Sequence, residues 1–338
     1  MNKKLLLYIC ITFTMYITVL NAQTQKSVCR LAATIQLAGD GGWDYLSVDE
    51  VNQKLFVSHG TQVNVADLKT GEQIAIIPET NGVHGIAIAN DLNKAFISCG
   101  KDSSVSVIDL INFKLVAKIL GTGKNPDAIL YDSFSKKVFT FNGRSSNATV
   151  IDAITYKVIT NIPLSGKPEF SQTDGKGKIY VNIEDKSTIA VISSVMLKVE
   201  KEWSIAPGEE PSGLALDNVN HRLFSVCSNK MMTISDAIAG KVITTLPIGD
   251  GCDGVTFDSI TKRIYSSNGE GTMTVVQQIS ADQYKVLENF PTQQGARTIA
   301  VNKTTHHLYL STGEYLPGTG RRPVKPNSFK VLDIEPIK

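Results

Sequence analysis

The segment PDAILYDSFSKKVFTFNG, residues 126–143, decides the fold because the chain contains seven copies of this pattern. The other copies are WDYLSVDEVNQKLFVSHG (from Trp43), VHGIAIANDLNKAFISCG (Val83), PEFSQTDGKGKIYVNIED (Pro168), PSGLALDNVNHRLFSVCS (Pro211), CDGVTFDSITKRIYSSNG (Cys252) and ARTIAVNKTTHHLYLSTG (Ala296). Each copy carries one aromatic residue at the same place, 40 to 44 positions after the last: Phe56, Phe96, Phe139, Tyr180, Phe224, Tyr265 and Tyr309. A period in this range is typical of repeats that stack into a ring or solenoid.

Within each copy, apolar and polar residues alternate and then stop at a polar turn, as with Val105 and Val107 before Asp109. Alternation with a period of two predicts strands, and Gly, Asn, Asp and Lys between them predict tight turns. Four short strands cannot bury both of their faces alone, so adjacent copies must stack around a central axis. We therefore predict an all-β fold, a seven-bladed β-propeller, with residues 23–338 forming a single domain.

The last copy is one strand short. It supplies strands around residues 298–301, 307–310 and 329–333, and then the chain ends. The segment LAATIQLAGDGGWD, from Leu31, matches KVITTLPIGDGCDG, from Lys241, which is the final strand of the fifth copy. We expect the N-terminal strand to close the last blade, because this pairing removes the two exposed edges of the ring.

Residues 1–22 have the pattern of a secretory signal peptide. Lys3 and Lys4 precede an apolar run from Leu5 to Leu20, and polar residues follow it. The run is short and interrupted by Thr, which disfavours a membrane span, although an uncleaved anchor is the alternative. We predict that the signal is removed and that the mature protein is periplasmic or secreted.

Charge limits the partners. The chain has 34 Lys and Arg and 32 Asp and Glu, and the signal contains two lysines and no acid, so the mature chain is neutral. Nucleic acid binding requires a concentrated positive surface, and the longest basic cluster is Arg321 and Arg322 with Lys325. We predict a monomer that does not bind nucleic acid and, after signal removal, does not insert into a membrane.

The topology predicts where a site would lie. In a four-stranded blade, the loop before the first strand and the loop between the second and third strands open at the same end of the channel, which we call the mouth. The first loops place one residue of each copy in register: Asp44, His84, Asp127, Glu169, Ser212, Asp253 and Arg297. The next residue is usually small, as at Gly85 and Gly213, which is expected where seven strands converge. The second loops add His59, Asn142, Asn182, Glu184 and Asn268, among others.

These residue types point to binding of a small polar ligand at the mouth. Crowded carboxylates repel each other, which raises their pKa values or recruits a cation. The predicted ligand-binding residues are Asp44, His59, His84, Asp127, Asn142, Glu169, Asn182, Asp253, Asn268 and Arg297. A divalent cation is a possible cofactor, with Asp44, Asp127, Glu169 and Asp253 as candidate ligands. The alternative is a solvated ring of mixed charge with no ligand.

Two further features carry hypotheses. Cys227 ends the second strand of the fifth copy and Cys252 begins the sixth, so they lie at the same end of adjacent blades, and a disulfide between them is possible in an exported protein. In the last copy, GEYLPGTGRRPVKPNS (residues 313–328) replaces a tight turn. We predict that this loop folds over the mouth as a lid and brings Tyr315 or Arg321 near the ligand.

The recurring motif resembles the YVTN-repeat β-propellers of the YncE-like family. It runs in the order Pro, apolar strand, Asp, basic residue, aromatic-Val strand and Asn-Gly, followed by Val-Ile-Asp and Lys-Val-Ile. The segments GKNPDAILYD, PGEEPSGLALD, GDGCDGVTFD and SSNGEGTMTVV are similar to its secreted bacterial members, and the resemblance covers residues 30–335. The resemblance implies a periplasmic or secreted seven-bladed propeller, and it implies no particular reaction.

Three functions remain open. The favoured one is a non-catalytic propeller of the bacterial envelope that binds a small polar ligand or an envelope protein at its mouth. The second is a metal-dependent hydrolase or lactonase at the same mouth, which requires several oxygens within coordination distance. Its metal or base candidates are Asp44, Asp127, Glu169 and Asp253, with His59 and His84. The third is an accessory partner of a periplasmic redox enzyme. The sequence contains no nucleophile elbow, phosphate-binding loop, dinucleotide fingerprint or haem-attachment motif, which disfavours an enzyme.

Overall fold

Seven four-stranded antiparallel sheets form the ring, which confirms the predicted seven-bladed β-propeller. The protein is seen in a computed structural model that describes residues 26–318 and 323–337. The predicted signal at residues 1–22 and the predicted lid residue Arg321 lie outside the described residues. In blades 1 to 6 the four strands of a sheet follow one another in chain order.

The strands fall into blades as follows. The first described strand is β1 (Cys29–Gln36). Blade 1 contains β2 (Trp43–Asp49), β3 (Lys54–His59), β4 (Gln62–Asp67) and β5 (Gln73–Ile77). Blade 2 contains β6 (Val83–Ala89), β7 (Lys94–Cys99), β8 (Ser104–Asp109) and β9 (Leu115–Leu120). Blade 3 contains β10 (Pro126–Asp132), β11 (Lys137–Asn142), β12 (Asn147–Asp152) and β13 (Val158–Pro163).

The second half of the ring continues the pattern. Blade 4 contains β14 (Pro168–Thr173), β15 (Lys178–Ile183), β16 (Thr188–Ser193) and β17 (Lys198–Ser204). Blade 5 contains β18 (Pro211–Asp217), β19 (Arg222–Cys227), β20 (Met231–Asp236) and β21 (Lys241–Pro247). Blade 6 contains β22 (Cys252–Asp258), β23 (Arg263–Asn268), β24 (Thr272–Ser280) and β25 (Gln283–Pro291). Blade 7 contains β26 (Ile299–Val301), β27 (Leu308–Thr312) and β28 (Lys330–Pro336).

The N-terminal strand closes the ring, as predicted. β1 pairs antiparallel with β28 as the outermost strand of blade 7, with Leu31 opposite Ile334 and Ile35 opposite Val331. The Arg263 guanidinium of blade 6 donates a hydrogen bond to the carbonyl of Ile337 at 3.0 Å, which ties the last residues to the neighbouring blade. Two single-turn 3-10 helices, Asn90–Leu92 and Glu184–Lys186, are the only helices among the described residues, and neither could span a membrane.

The core lies between adjacent blades. All seven repeated aromatic residues are buried, and Phe139 of blade 3 belongs to the same apolar cluster as Ile179 and Val181 of blade 4. Each blade therefore buries its faces only by packing against its neighbours, which is the stacking that the repeat predicted.

The predicted disulfide is absent. Cys227 and Cys252 are both free, buried thiols, and burial raises the pKa of each to about 12. The thiol of Cys252 donates a hydrogen bond to the backbone oxygen of Cys227 at 3.1 Å. The two cysteines are neighbours across the interface of blades 5 and 6, as the register implied, but the Cys252 side chain contacts the backbone of Cys227 as a thiol.

Candidate functional site

Residues from all seven blades line one cavity of about 230 Å³ at the mouth. It is lined by Asp44, Tyr45, His84, Asp127, Lys167, Glu169, Glu184, Ser212, Asp253 and Arg297. The seven residues that the repeat placed in register before the first strands are all in this set. The ring thus brings together six of the ten predicted ligand-binding residues, Asp44, His84, Asp127, Glu169, Asp253 and Arg297.

The other four predicted residues lie elsewhere. His59 is buried, its ring stacks on Phe329 with centroids 3.9 Å apart, and burial lowers its pKa. The Asn142 amide donates to Asn147 and Thr149 within blade 3, at 2.8 and 2.9 Å. These side chains stabilise the blade, so their expected place in the ligand site is not what the structure shows.

The remaining two asparagines behave in the same way. Asn268 donates to Thr272 and Thr274, both at 3.0 Å, which repeats the arrangement of Asn142 in blade 6. Asn182 donates to the backbone oxygens of Ser212 and Gly213, both at 3.0 Å, and links blade 4 to blade 5. The reason is shared: side chains at the ends of the second strands turn into the sheet interfaces, where a polar side chain needs a hydrogen-bond partner.

The charged groups of the mouth form three connected sets. His84 Nδ1 lies 2.6 Å from an Asp44 oxygen and 3.5 Å from an Asp127 oxygen. Lys167 contacts Glu169 at 2.7 Å and also pairs with Glu184. Five carboxylates therefore share the cavity with three groups that are, or can become, cationic.

Arg297 forms the third set and joins it to the first. Its Nε donates to Asp253 at 2.9 Å, and its Nη2 donates to the backbone oxygen of Trp43 at 2.9 Å. The same Nη2 lies 3.7 Å from Asp44. The planar guanidinium thus fixes blade 7 against both blade 6 and blade 1.

Burial and mutual repulsion shift the carboxyl groups toward their neutral forms. Burial and the nearby charge of Asp127 raise the pKa of Glu169 to about 8, although Lys167 opposes the shift. Burial raises the pKa of Asp127 to about 6, against the charge of His84 and with the added repulsion of Asp44 and Asp253. Burial also raises the pKa of Asp253 to about 6, in spite of Arg297.

The pKa of His84 is shifted in the direction that favours its charged form. Burial lowers the pKa of His84, but its hydrogen bond to the Asp44 carboxylate and the charges of Asp127 and Asp44 outweigh burial, so its net pKa is raised. A protonated His84 between two carboxylates is the arrangement that these contacts favour.

Two aromatic rings contact each other beside the cavity. Tyr45 lines the cavity and is buried, and its ring lies 5.0 Å from that of Phe170, centroid to centroid. Both occupy the position that is Gly or Ala in blades 2, 3, 5 and 6, which was the available sequence signal for them. Burial and the surrounding carboxylates raise the pKa of the Tyr45 hydroxyl well above its usual range. A ligand that reaches Asp127 therefore meets a neutral phenol beside it.

Lys167 and Tyr45 are the lining residues that sequence reasoning missed. Lys167 lies two positions before Glu169, where the other copies carry Gly, Asn or Glu, so the repeat gave no signal for a base there. Glu184 and Ser212 were recognised as polar mouth positions but were left out of the predicted binding set.

The loop of blade 7 packs beside the mouth. Tyr315 is half-buried, forms an isolated bridge with Val324 and lies against Trp43, with ring centroids 5.9 Å apart. Trp43 directly precedes Asp44, so the loop supports the wall of the mouth. Tyr315 is not among the described residues that line the cavity, and its role as a lid remains a prediction.

Three mouth residues have the geometry of a cation site. One ligand atom each of Asp44, His84 and Asp127 can be chosen so that all three lie within 4.8 Å of one another. Of the four candidate cation ligands predicted from sequence, Asp44 and Asp127 belong to this group, whereas Asp253 and Glu169 are bound by Arg297 and Lys167. His84 was expected there only in the hydrolase alternative, as a metal or base candidate.

Comparison with known proteins identifies the architecture. No protein-family model and no curated protein matches the chain. The solved "Structure of U3-55K" is similar with a TM-score of 0.75 and 9% identity, over 91% of this chain and 99% of that chain. The "Crystal structure of RRP9 WD40 repeats" is similar with a TM-score of 0.75 and 10% identity, over 91% and 97%. At such identities the likeness shows the fold alone: a seven-bladed β-propeller with WD40-repeat structural neighbours.

Proposed function

We propose that this chain is a non-catalytic binding propeller of the bacterial envelope, of the secreted YVTN-repeat type, whose mouth binds a cationic group the size of one side chain. An envelope protein or a small polar ligand would present that group. The observation that carries the proposal is the convergence of five carboxylates and three basic side chains, from six blades, on one cavity of about 230 Å³.

The size of the cavity selects the ligand. Sites for drug-sized molecules have volumes of roughly 300–1,000 Å³, so this cavity suits a smaller group. The Tyr45 ring occupies part of its wall and narrows it further. A lysine-like ammonium group, entering from the mouth end, fits both restrictions.

The charges select its sign. Asp44, Asp127, Glu169, Asp253 and Glu184 outnumber Arg297, Lys167 and a protonated His84. The pKa of Glu169, about 8, means that this carboxyl keeps its proton at neutral pH, whereas Asp127 and Asp253, with pKa values of about 6, are largely protonated only below it. A bound cation stabilises the ionised carboxylates, so binding should release protons.

The pairing of the same groups argues for binding over catalysis. A general base needs an oxygen or nitrogen that is free to take a proton from the substrate. Here Glu169 contacts Lys167, Asp253 contacts Arg297, and His84 is hydrogen-bonded to Asp44. Such mutual pairing holds a rigid, mixed-charge socket, which suits recognition.

Titration calorimetry with n-butylamine, Nα-acetyl-lysine amide and guanidine tests the proposal. We expect an ammonium ligand to bind at one site with proton release, seen as a heat that changes between two buffers of different ionisation enthalpy. Asp127→Asn should weaken binding by roughly tenfold, as for loss of one charge-assisted contact. Asp250→Asn is the matched control, since Asp250 is exposed and pairs with Lys230. Binding of none of the three probes, or equal loss in both variants, would contradict the proposal.

A divalent cation is the second candidate ligand, because Asp44, His84 and Asp127 already place their donor atoms within 4.8 Å of one another. Two carboxylates and one imidazole suit Mn²⁺, Fe²⁺ or Zn²⁺ better than Ca²⁺. Elemental analysis of protein purified without added metal, followed by ester and lactone screens with and without chelator, tests this candidate. A stoichiometric metal that His84→Ala removes, together with chelator-sensitive turnover, would favour the hydrolase over the amine-binding propeller.

A further inference from the structure

The end of the ring opposite the mouth exposes a set of large apolar side chains. This end, which we call the tip face, is formed by the turns between first and second strands and between third and fourth strands. The inner turns expose Val51, Phe134, Val219 and Ile260, and the outer turns expose Ile111, Ile154, Val195, Met196 and Ile238, while Ile279 is exposed near the end of β24. Ile111 is 76% exposed and Ile260 is 72% exposed, which is unusual for isoleucine.

The turn chemistry explains why these side chains point outward. An aspartate begins most of these turns, and its carboxylate accepts a hydrogen bond from the backbone N–H two residues later. In three turns that N–H belongs to the exposed isoleucine itself. Ile111 donates to Asp109 at 3.0 Å, Ile154 to Asp152 at 3.0 Å and Ile260 to Asp258 at 2.9 Å. The capped turn therefore holds the aliphatic side chain at its outermost point, in solvent.

Exposed lysines accompany the apolar tips. Lys114 follows Ile111, Lys157 follows Ile154, and Lys241 follows Ile238, each by three positions. All three are exposed, and none is among the ion pairs found within the described residues. The aspartates of the same turns accept hydrogen bonds from backbone N–H groups, and no described carboxylate lies within ion-pair distance of these three ammonium groups.

We propose that the tip face docks on the surface of a bilayer that contains anionic lipid, with the aliphatic tips entering the boundary between headgroups and acyl chains. The lysines contact lipid phosphates beside them, as snorkelling side chains do. The contact is peripheral, and no part of the described chain spans the bilayer.

The distribution of the tips favours a fluid, flat surface over a protein. Apart from the adjacent Val195 and Met196, the apolar tips of blades 1 to 6 lie on separate turns with polar residues between them, whereas a protein interface has a contiguous apolar centre. A second copy of this chain is disfavoured, because a two-fold contact would place the same lysines opposite one another.

Vesicle flotation tests the proposal. The mature protein, residues 23–338, is mixed with vesicles of phosphatidylcholine and phosphatidylglycerol in equal parts, and separately with phosphatidylcholine alone. We expect the protein to float with the mixed vesicles and much less with the neutral ones. The double variant Ile111→Ser, Ile154→Ser should reduce partitioning by roughly tenfold or more, from the loss of two inserted aliphatic groups.

A matched control separates insertion from general surface polarity. Leu120→Ser with Ile159→Ser removes two exposed aliphatic residues from the outer strands of the same blades 2 and 3, and should leave flotation unchanged. Lys114→Gln with Lys157→Gln should weaken binding to mixed vesicles and reduce its salt dependence. No flotation of the wild type, equal effects of both serine pairs, or a dimer in sedimentation that Ile111→Ser, Ile154→Ser dissolves would each overturn the proposal.

Discussion

The mouth and the tip face are built from the same repeated unit, yet their carboxyl groups respond to the fold in opposite ways. At the mouth, the pKa values of Asp127, Glu169 and Asp253 are raised, with burial as the largest cause. At the tip face, the pKa of Asp109 is lowered by the Lys94 ammonium and by the N–H groups of its own turn. The pKa of Asp152 is also lowered, by hydrogen bonds from the backbone N–H groups of Thr155 and Ile154.

The difference teaches that distance from the axis decides what a repeated residue does. Near the axis, seven copies of one position meet in one cavity, so their charges interact and burial is shared. At the outer turns of the tip face, which are farther from the axis, Asp109 and Asp152 accept hydrogen bonds from the N–H groups of their own turns. A repeat can therefore produce a collective site at one end and independent caps at the other.

The largest expected effect tests the same contrast for apolar residues within blade 3. Phe139→Ala removes a fully buried ring between blades 3 and 4 and should lower the free energy of unfolding by about 3–5 kcal/mol. Ile154→Ser, at the exposed tip of the same blade, should change it by less than about 0.5 kcal/mol. Urea unfolding of both variants measures the difference, and a comparable loss at Ile154 would mean that the tips belong to the folded core.

The second effect concerns the pH dependence of stability at the mouth. The pKa of Glu169 is about 8 in the folded protein against an ordinary 4.5, so between these values the folded state keeps a proton that the unfolded chain has lost. Its contribution to stability therefore falls as the pH rises from about 4.5 to about 8. Glu169→Gln removes this dependence and should gain on the order of 1–3 kcal/mol relative to wild type across that window.

Asp109→Asn is the matched variant at the tip face, where the carboxyl group's contribution to stability changes with pH in the opposite direction. The lowered pKa of Asp109 gives stability that is present above its ordinary value of 3.8 and is lost as the pH falls through the folded value. The asparagine variant should therefore be less stable than wild type at neutral pH, and its deficit should shrink in acid. Urea midpoints over a pH series measure both slopes; slopes of the same sign would show that the two ends do not differ in this way.

The sequence was sufficient for the fold and for the seven mouth positions, because both follow from periodicity. A register that is kept through all seven copies specifies where equivalent residues go, and Asp44, Asp127 and Asp253 indeed converge. Periodicity could not give the direction of side chains at the ends of the second strands. Asn142 and His59 were expected in the mouth, but they turn into the sheet interfaces, where hydrogen bonding and stacking hold them.

Periodicity also could not predict residues that depart from the repeat. Lys167 has no counterpart in the other copies, and its place beside Glu169 depends on the three-dimensional course of the loop after β13. The absent disulfide has a similar origin. The register of the repeat placed Cys227 and Cys252 on adjacent blades. It could not predict the side-chain rotamer of Cys252, whose thiol donates a hydrogen bond to a backbone oxygen.

A smaller effect tests the convergence of the strands directly. Gly213 follows the mouth position of blade 5, and a Cβ there would lie 3.0 Å from Gly254 Cα and from the backbone nitrogen of Val255 in blade 6. Gly213→Ala should therefore lower the free energy of unfolding by about 1–2 kcal/mol, since the first strands of two blades must move apart. Gly42→Ala is the control, because nothing lies within 4 Å of its Cβ position. If both variants keep wild-type urea midpoints, close approach at the axis is not a constraint.

The smallest expected effect asks whether the mouth needs arginine geometry or only positive charge. Arg297 donates to Asp253 and to the Trp43 carbonyl at the same time, and a lysine ammonium cannot reach both in the same plane. Arg297→Lys should lower the free energy of unfolding by about 1 kcal/mol and weaken ammonium binding at the mouth. At the tip face, Lys136 pairs with Asp91 through an exposed contact, so Lys136→Arg should change stability by less than about 0.5 kcal/mol. Thermal unfolding of the two variants measures the difference. Equal shifts in melting temperature would mean that positive charge alone, without the planar geometry of the guanidinium, holds blades 6, 7 and 1 together at the mouth.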